Sequence, residues 1–205
     1  MISTPIDPAP VAVLCARDDS IYKSLPGCDV WDQQRDARTW PGGAAIVGHP
    51  PCRLWGRLRT FARAANPGSE RALAVWCVEQ VRQWGGVVEH PAQSTLWPTM
   101  GLPRPGEPPD AAGGWTLGIW QSWFGHLATK PTWLYLVGIT PAQLPPPPFV
   151  LGGGSHTIGS SRGRARRPEV SKAAREQTPL RLAQWLVTLA RLARRERRSD
   201  AFNAD

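Results

Sequence analysis

Cys52 and Glu89 are the two residues whose types and positions best suit covalent chemistry in this chain. Cys52 follows an apolar run and two prolines, and Glu89 ends a second apolar run shortly before Pro91. A cysteine thiolate is the best soft nucleophile among the side chains, and a neighbouring acid can protonate or hydrogen-bond a ring nitrogen. Together the two residues suit attack on an electron-poor ring, although taken singly a buried structural cysteine and a solvated strand-end carboxylate remain alternatives.

The elements that must position this pair are two predicted strands, at 44–48 and 87–89, with a helix between them. Ser69 is the predicted N-cap of that helix, which shows apolar residues at helical spacing and ends at Gly85-Gly86. A strand, a helix and a strand joined by short connections predict a βαβ unit with parallel strands. The carboxyl ends of parallel strands lie on one edge of the sheet, where open α/β sheets bind ligands.

The remaining apolar runs extend the same plan. Strands are predicted at 11–15, 28–32 and 132–139, and 114–123 is predicted as a helix or a strand. The predicted fold class is α/β, a single Rossmann-like domain with a mostly parallel sheet and flanking helices. A chain of 205 residues suits one such domain.

Composition divides the chain into four regions. Residues 8–140 are predicted to form the Rossmann-like catalytic core, and 141–177 a loop region rich in Pro, Gly and Arg. Residues 178–198 are predicted to form a C-terminal helix that packs on the core, with Thr178 as N-cap and Pro179 at the first helical position. Residues 199–205 are predicted to be a flexible tail.

The positive charge of the chain is concentrated near its end. The net charge is +8, and residues 162–198 contain twelve basic residues against three glutamates. Such a segment is the usual footprint of a polyanion partner, most simply nucleic acid, and a solvated tail is the alternative. Eleven tryptophans supply ring surface for the core, and some of them could stack on bases.

Targeting and redox signals point to an intracellular protein. The sequence has no apolar run of transmembrane length and no signal peptide pattern, so we expect a cytoplasmic protein with no membrane partner. The four cysteines show neither a CxxC pattern nor Cys/His spacing, so no metal site and no disulfide framework is expected.

Several short motifs occur in an order that resembles the DNA cytosine-C5 methyltransferases, a family with small relatives in tailed bacteriophages. These motifs are Pro-Pro-Cys at 50–52, Glu-His-Pro at 89–91, and Phe-Gly-His-Leu-Ala-Thr-Lys-Pro-Thr at 124–132 before a strand. The family has a Pro-Cys loop, a Glu-Asn-Val segment and a Phe-Gly-x-x-Gln-x-Arg-x-Arg segment. Its last motif, a helix opened by Thr-Pro, is similar to 178–179.

The resemblance implies roles for individual residues. Cys52 would add to C6 of cytosine, and Glu89 would contact the ring N3 and the exocyclic amine. Lys130 and Thr132 stand where the family has two arginines, so only Lys130 keeps the charge. The residues that we expect to contact substrate or DNA are Arg53, Arg57, His90, His126, Lys130, Arg162, Arg164, Arg166 and Arg167.

The resemblance also implies S-adenosylmethionine as cofactor, but the sequence departs from the family here. The first strand is followed by 15–20 without any glycine, whereas a cofactor that meets bare backbone needs one. Asp32, at the end of the second strand, could accept ribose hydroxyls or simply end the strand. The predicted cofactor-binding residues are Asp32, Asp18, Asp19, Ser20 and Pro50.

Three functions remain open at this point. The first is a DNA base-modifying enzyme resembling cytosine-C5 methyltransferases, with DNA as partner. The second keeps the base site but uses another donor or excises the base, with the polar run 17–23 supplying the groups. The third is a non-catalytic DNA-binding protein on a methyltransferase-like scaffold.

Overall fold

The computed structural model describes residues 10–57, 59–158 and 167–193. In these ranges the chain forms one six-stranded sheet with helices on both of its faces. The strands are β1 (Val11–Leu14), β2 (Cys28–Trp31), β3 (Ile46–Gly48), β4 (Gly86–Pro91), β5 (Trp115–Trp120) and β6 (Pro131–Val137). The helices are α1 (Pro67–Trp84), α2 (Leu96–Thr99), α3 (Lys172–Glu176) and α4 (Leu180–Leu192).

The strand order in the sheet is β2-β1-β3-β4-β6-β5. The first four strands of this order are parallel, whereas β6 pairs antiparallel with β4 and β5 pairs antiparallel with β6. The prediction of an α/β fold with a mostly parallel sheet is confirmed. The register pairs Gly48 with Val88, so β3 and β4 end side by side at one edge.

Helix α1 connects β3 to β4 and packs on one face of the sheet, as the βαβ pattern predicts. Its N-cap is Asn66 and not the predicted Ser69. The Asn66 side chain accepts a hydrogen bond from the backbone N–H of Ser69 at 3.1 Å, and Pro67 occupies the first turn. Proline needs no N–H partner there, so the helix begins three residues earlier than the serine signal indicated.

Helix α4 covers the opposite face of the sheet with a fully apolar stripe. Leu182, Leu186 and Leu189 are completely buried against the strands. The amphipathic pattern therefore predicted this helix correctly, but the helix begins at Leu180, with Pro179 rather than Thr178 at the N-cap position. The end of the predicted helix, 194–198, and the predicted tail at 199–205 lie outside the described residues.

The structure settles the segment 114–123, which the sequence left as helix or strand. It forms β5 and then a single turn of 3-10 helix, Gln121–Phe124, which ends at Gly125 with φ of 93°. Strand β6 is buried on both faces over residues 134–137, whereas its hairpin partner β5 is only partly buried, as suits the edge strand of the sheet. Across the described residues, no helix combines the length and apolar character needed to span a bilayer.

A close approach of β3 and β4 gives a test of this fold. Gly86 has φ of 119°, and a Cβ there would lie 2.1 Å from the carbonyl oxygen of Ile46. Gly86→Ala should therefore lower the free energy of unfolding by about 3 kcal/mol or more. The matched control is Gly101→Ala, with φ of 60° and open space around it, which should cost only about 1 kcal/mol. Equal losses in denaturant unfolding would contradict the strand pairing.

Candidate active site

Glu89 is the centre of a buried hydrogen-bond network at the carboxyl edge of the sheet. One carboxylate oxygen, Oε2, lies 3.1 Å from Nδ1 of His49, which follows β3 directly. The other, Oε1, accepts a 2.8 Å hydrogen bond from Nε2 of Gln121, at the end of β5. Both oxygens of Glu89 therefore have partners from neighbouring parts of the sheet.

The network continues from His49 to Tyr22. The Nε2 atom of His49 lies 2.9 Å from the hydroxyl of Tyr22, a buried residue of the 3-10 turn that follows β1. Burial raises the pKa of Tyr22 well above its usual value, so the phenol keeps its proton and can donate it to His49. His49 then donates from Nδ1 to Glu89. We call Tyr22, His49, Glu89 and Gln121 the Glu89 network.

Glu89 is ionised at neutral pH. Burial by itself would raise its pKa, but the His49 hydrogen bond and the positive charge of Lys130 hold the pKa at about 2. Glu89 therefore acts as a hydrogen-bond acceptor in the resting protein, and any proton that it passes on must first come from solvent. The sequence predicted the acid at this edge but gave no sign of its protonation state.

Gln121 is a site residue that sequence reasoning missed. Its side chain is completely buried, and Nε2 contacts both Glu89 and the Thr132 hydroxyl, the latter at 3.2 Å. Its Oε1 has no hydrogen-bond partner among the described residues. The available signal was the strand-end rule already applied to Glu89, since Gln121 is the first polar residue after β5.

The loop after β3 presents Cys52 at the same edge. The Cys52 carbonyl accepts hydrogen bonds from the backbone N–H groups of Trp55 and Gly56, at 3.1 and 2.8 Å, which closes a turn. Trp55 is buried, and its carbonyl accepts a 2.9 Å bond from the Thr95 N–H in the segment after β4. This anchoring fixes the loop on the sheet while the Cys52 residue stays exposed.

The electrostatic surroundings of Cys52 show which groups lie near its thiol. The protein atoms packed around the sulfur raise the pKa of Cys52, and the negative charge of Glu89 raises it further. Lys130 acts in the opposite direction and lowers the same pKa. Cys52 is therefore a thiol at rest, and the charges of Glu89 and Lys130 act on it in opposite directions.

Lys130 also shapes the backbone of the site. It has φ of 43°, in the left-handed region that favours glycine, just before β6 begins. In this conformation its carbonyl accepts hydrogen bonds from the Gln121 N–H and the Thr132 hydroxyl, both at 3.2 Å. The unusual backbone conformation of Lys130 therefore places its carbonyl where it can hold Gln121 beside Glu89.

The predicted cofactor residue Asp32 is already engaged by the protein itself. Its Oδ2 pairs with the Lys23 ammonium at 2.6 Å, and its Oδ1 accepts from the backbone N–H groups of Gln34 and Arg35. These bonds lower the pKa of Asp32, and the bond from Lys23 has the largest effect. Asp32 therefore closes the turn after β2, and its carboxylate, only 5% exposed, is engaged by the protein itself.

The polar residues after β1 likewise form their ion pairs and hydrogen bonds mainly with one another. Asp19 pairs with Arg17 at 2.8 Å, and Ser20 caps the turn that contains Tyr22. The Asp18 carbonyl accepts a 2.7 Å bond from Lys23, and Cys15 takes φ of 60° where a glycine would be expected. Pro50, the remaining predicted cofactor residue, is buried after β3.

These contacts do not fit S-adenosylmethionine. The adenosine ribose would need the Asp32 carboxylate that Lys23 and the turn occupy. The methionine part of the cofactor would need to contact bare backbone after β1. In this segment the side chains instead bond to one another and to the backbone.

His90 and His126 are enclosed within the protein, so the structure does not bring them to a surface where DNA could lie. Burial lowers the pKa of His90 to about 4, partly opposed by Glu89 and the Pro51 carbonyl, and its ring packs against Trp97. The ring nitrogens of His126 contact backbone groups, Nδ1 at Ala128 and Nε2 at the Ala174 carbonyl, 3.1 Å away. Both histidines therefore contribute to packing and to backbone hydrogen bonding within the protein.

The predicted basic residues divide into three groups. Arg53 is exposed and pairs with Glu70 at 2.8 Å, and Arg57 is exposed beside it. Arg167 donates to the Gly154 carbonyl at 2.9 Å. Arg162, Arg164 and Arg166 lie outside the described residues.

Two cavities in the described part of the chain lie away from this site. One is lined by residues between Pro105 and Trp115 and by part of β5, and the other by residues between Ala92 and Glu107 together with Trp133. Neither includes Cys52 or Glu89, and no cysteine lines either of them.

Comparisons with protein-family models, with curated proteins and with solved structures gave no match for this chain.

The charges around Cys52 predict how its reactivity responds to substitution. Glu89→Gln removes a negative charge that raises the thiol pKa, so alkylation by iodoacetamide should become faster at any pH below that pKa. Lys130→Gln removes the opposing positive charge, so alkylation should become slower. The rates can be followed at the Cys52 peptide by mass spectrometry across about pH 7 to 9.

Lys172→Gln is the matched control, because it removes a lysine from α3 that is not among the groups acting on Cys52. Its rate should equal that of the wild type. A slower rate in Glu89→Gln, or no change in either variant, would show that the three residues do not share one site.

Proposed function

We propose that this protein is a DNA base-modifying enzyme in which Cys52 adds to C6 of a pyrimidine and Glu89 binds the opposite edge of the ring. The observation that supports it best is the convergence of two strand ends. An exposed cysteine on the loop after β3 and an ionised, hydrogen-bonded glutamate near the end of β4 both lie at the carboxyl edge of neighbouring parallel strands, and the charge of Glu89 acts on the thiol. This is the edge where α/β sheets bind ligands.

The topology supports a Rossmann-like classification within this proposal. The chain moves outward from β1 to β2, then crosses to β3 and β4 on the other side. The strand order thus reverses between β1 and β3, and ligand crevices in open α/β sheets lie at such a switch point. Tyr22 and His49, which follow β1 and β3, border that point.

The proposed addition uses the residues as the structure arranges them. The Cys52 thiol first loses its proton to solvent, and the thiolate then forms a bond to C6 while the ring electrons move toward C5 and N3. Glu89 accepts a hydrogen bond from the exocyclic amine, and N3 takes a proton from solvent. C5 then bonds to an electrophilic group and loses its own proton to solvent, after which Cys52 leaves as a thiolate and the N3 proton returns to solvent, so that the aromatic ring is restored.

Glu89 also gives a reason to favour cytosine. An ionised carboxylate accepts hydrogen bonds and cannot donate them, so it matches the amine at C4 of cytosine. Thymine and uracil carry a carbonyl oxygen at C4, which would face the Glu89 charge without a proton between them. At the C4 position Glu89 therefore favours cytosine over thymine and uracil.

The group donor is a separate question, and one observation favours a second candidate function. The resemblance predicts transfer of a one-carbon group. However, Asp32 and Lys23 form an ion pair at the place where S-adenosylmethionine would bind. This favours a base-modifying or base-excising enzyme that uses the Cys52 site without that cofactor.

A covalent trap tests the nucleophile. In a DNA strand that contains 5-azacytosine, the extra ring nitrogen makes C6 more electrophilic and takes a proton after addition, so the thiol adduct accumulates without a donor. We expect the wild-type protein to form an adduct that survives denaturation and is seen by intact mass. Glu89→Gln should slow its formation by about 100-fold.

Cysteine variants make this test specific. Cys52→Ser should give no adduct, whereas Cys28→Ser, which changes another partly exposed cysteine, should react like the wild type. An adduct that persists in Cys52→Ser would refute the assignment. DNA binding by the wild type without any adduct would instead favour a non-catalytic DNA-binding protein.

Calorimetry tests the donor. Because the Asp32 carboxylate is buried and bound to Lys23 and to the turn after β2, titration with S-adenosylmethionine at concentrations up to about 1 mM should show no saturable binding. Micromolar binding that Asp32→Asn weakens would contradict this account and restore the first, methyl-transferring function.

A further inference from the structure

An exposed apolar surface lies next to the Glu89 network. Its side chains are Trp123, Leu127, Phe149 and Leu151, which are 36%, 48%, 62% and 98% exposed. The rings of Trp123 and Phe149 meet edge to face, with centroids 5.6 Å apart. We call these four residues the Trp123 patch.

The two segments that form the Trp123 patch are held firmly together. The Val150 N–H donates to the Trp123 carbonyl at 2.7 Å, and the His156 N–H donates to the Leu127 carbonyl at 2.9 Å. A Cβ at Gly153 would lie 2.2 Å from the Ser122 carbonyl oxygen, so only glycine permits this approach. The backbone segments that carry the exposed rings are therefore already in place before any ligand binds.

The patch and the candidate active site share one structural element. In the 3-10 helix Gln121–Phe124, Gln121 points inward to Glu89 at 2.8 Å. Trp123, two residues later, reaches the surface, and Phe124 packs on Trp185 in the core. A ligand on the patch would thus contact the same 3-10 turn whose Gln121 holds Glu89.

Basic residues flank the patch on the elements that pack against it. Lys130 precedes β6, and Arg167 is bound to the Gly154 carbonyl at 2.9 Å. Helix α3, which the contact of Ala174 with His126 ties to the same region, adds Lys172 and Arg175. Its carboxylate, Glu176, is paired with Arg17. These basic residues give the surroundings of the patch a positive charge, which would attract a polyanion.

We propose that the Trp123 patch binds an unpaired stretch of the DNA substrate, with bases stacked on Trp123 and Phe149 and phosphates near Lys130 and Arg167. Fixed, exposed aromatic rings with flanking cations are the features by which proteins hold single strands. A duplex keeps its bases stacked inside, so it cannot use the rings in this way. The proposal rests on the proposed function, in that DNA is the substrate.

This surface defines the substrate class of the active site as single-stranded or locally opened DNA. A base already out of the helix reaches Cys52 without the unstacking and unpairing cost, a few kcal/mol, that a flipped duplex base carries. The strand held by the patch would present its next base to the β3–β4 edge.

The test measures binding of a fluorescently labelled single-stranded oligonucleotide by anisotropy. We expect the wild type to bind the single strand at least tenfold more tightly than the same sequence as a duplex. Phe149→Ala and Trp123→Ala should each weaken single-strand binding by about 5- to 100-fold. Leu180→Ala, which removes an exposed apolar residue at the start of α4, should bind like the wild type.

Two conservative variants separate stacking from apolar packing. Phe149→Leu keeps apolar surface but has no ring, so it should bind as weakly as Phe149→Ala, and Phe149→Trp should keep wild-type affinity. Wild-type affinity in Phe149→Leu would overturn the proposal. Equal affinity for the duplex would also overturn it.

The same set of proteins separates this proposal from the proposed function. If Cys52 is not a nucleophile, no 5-azacytosine adduct forms, yet single-strand binding still depends on Phe149. If the patch does not bind DNA, the adduct forms at Cys52 and Phe149→Leu leaves both binding and adduct formation unchanged.

Discussion

The ionised carboxylate of Glu89 is the constraint on which the rest of the site depends. A charge removed from water costs several kcal/mol unless it is paired and hydrogen-bonded. His49 and Gln121 each supply a hydrogen bond to it, and Lys130 supplies positive charge. Because these partners follow β3 and β5 and precede β6, satisfying one carboxylate fixes how these strands end relative to β4.

That requirement connects regions of the chain that are far apart in sequence. Tyr22, after β1, reaches His49, and the strained backbone of Lys130 holds Gln121. The 3-10 helix that begins with Gln121 then turns Trp123 outward. A network that stabilises a buried charge therefore also sets the position of the surface proposed to hold DNA, and binding and chemistry depend on the same few bonds.

Local signals predicted much of this arrangement, but not its contacts. Apolar runs that end in proline marked the ends of β3 and β4, and so identified Cys52 and Glu89. Gln121 was missed because its role comes from partners on other strands, which no local pattern reveals. His90 follows Glu89 in the same strand and so faces the opposite side, into the core beside Trp97. Asp32 stood at the predicted place, but Lys23 neutralises it there.

The central claim is that Cys52 and Glu89 together modify a pyrimidine base in DNA. The most direct measurement is mass spectrometry of nucleosides from the DNA of cells that produce the protein, compared with cells that produce Cys52→Ser. The account predicts a pyrimidine nucleoside of altered mass, or a loss of cytosine, that appears with the wild type and is absent with Cys52→Ser. Identical nucleoside profiles from the two cultures, with both proteins folded and present at equal levels, would contradict it.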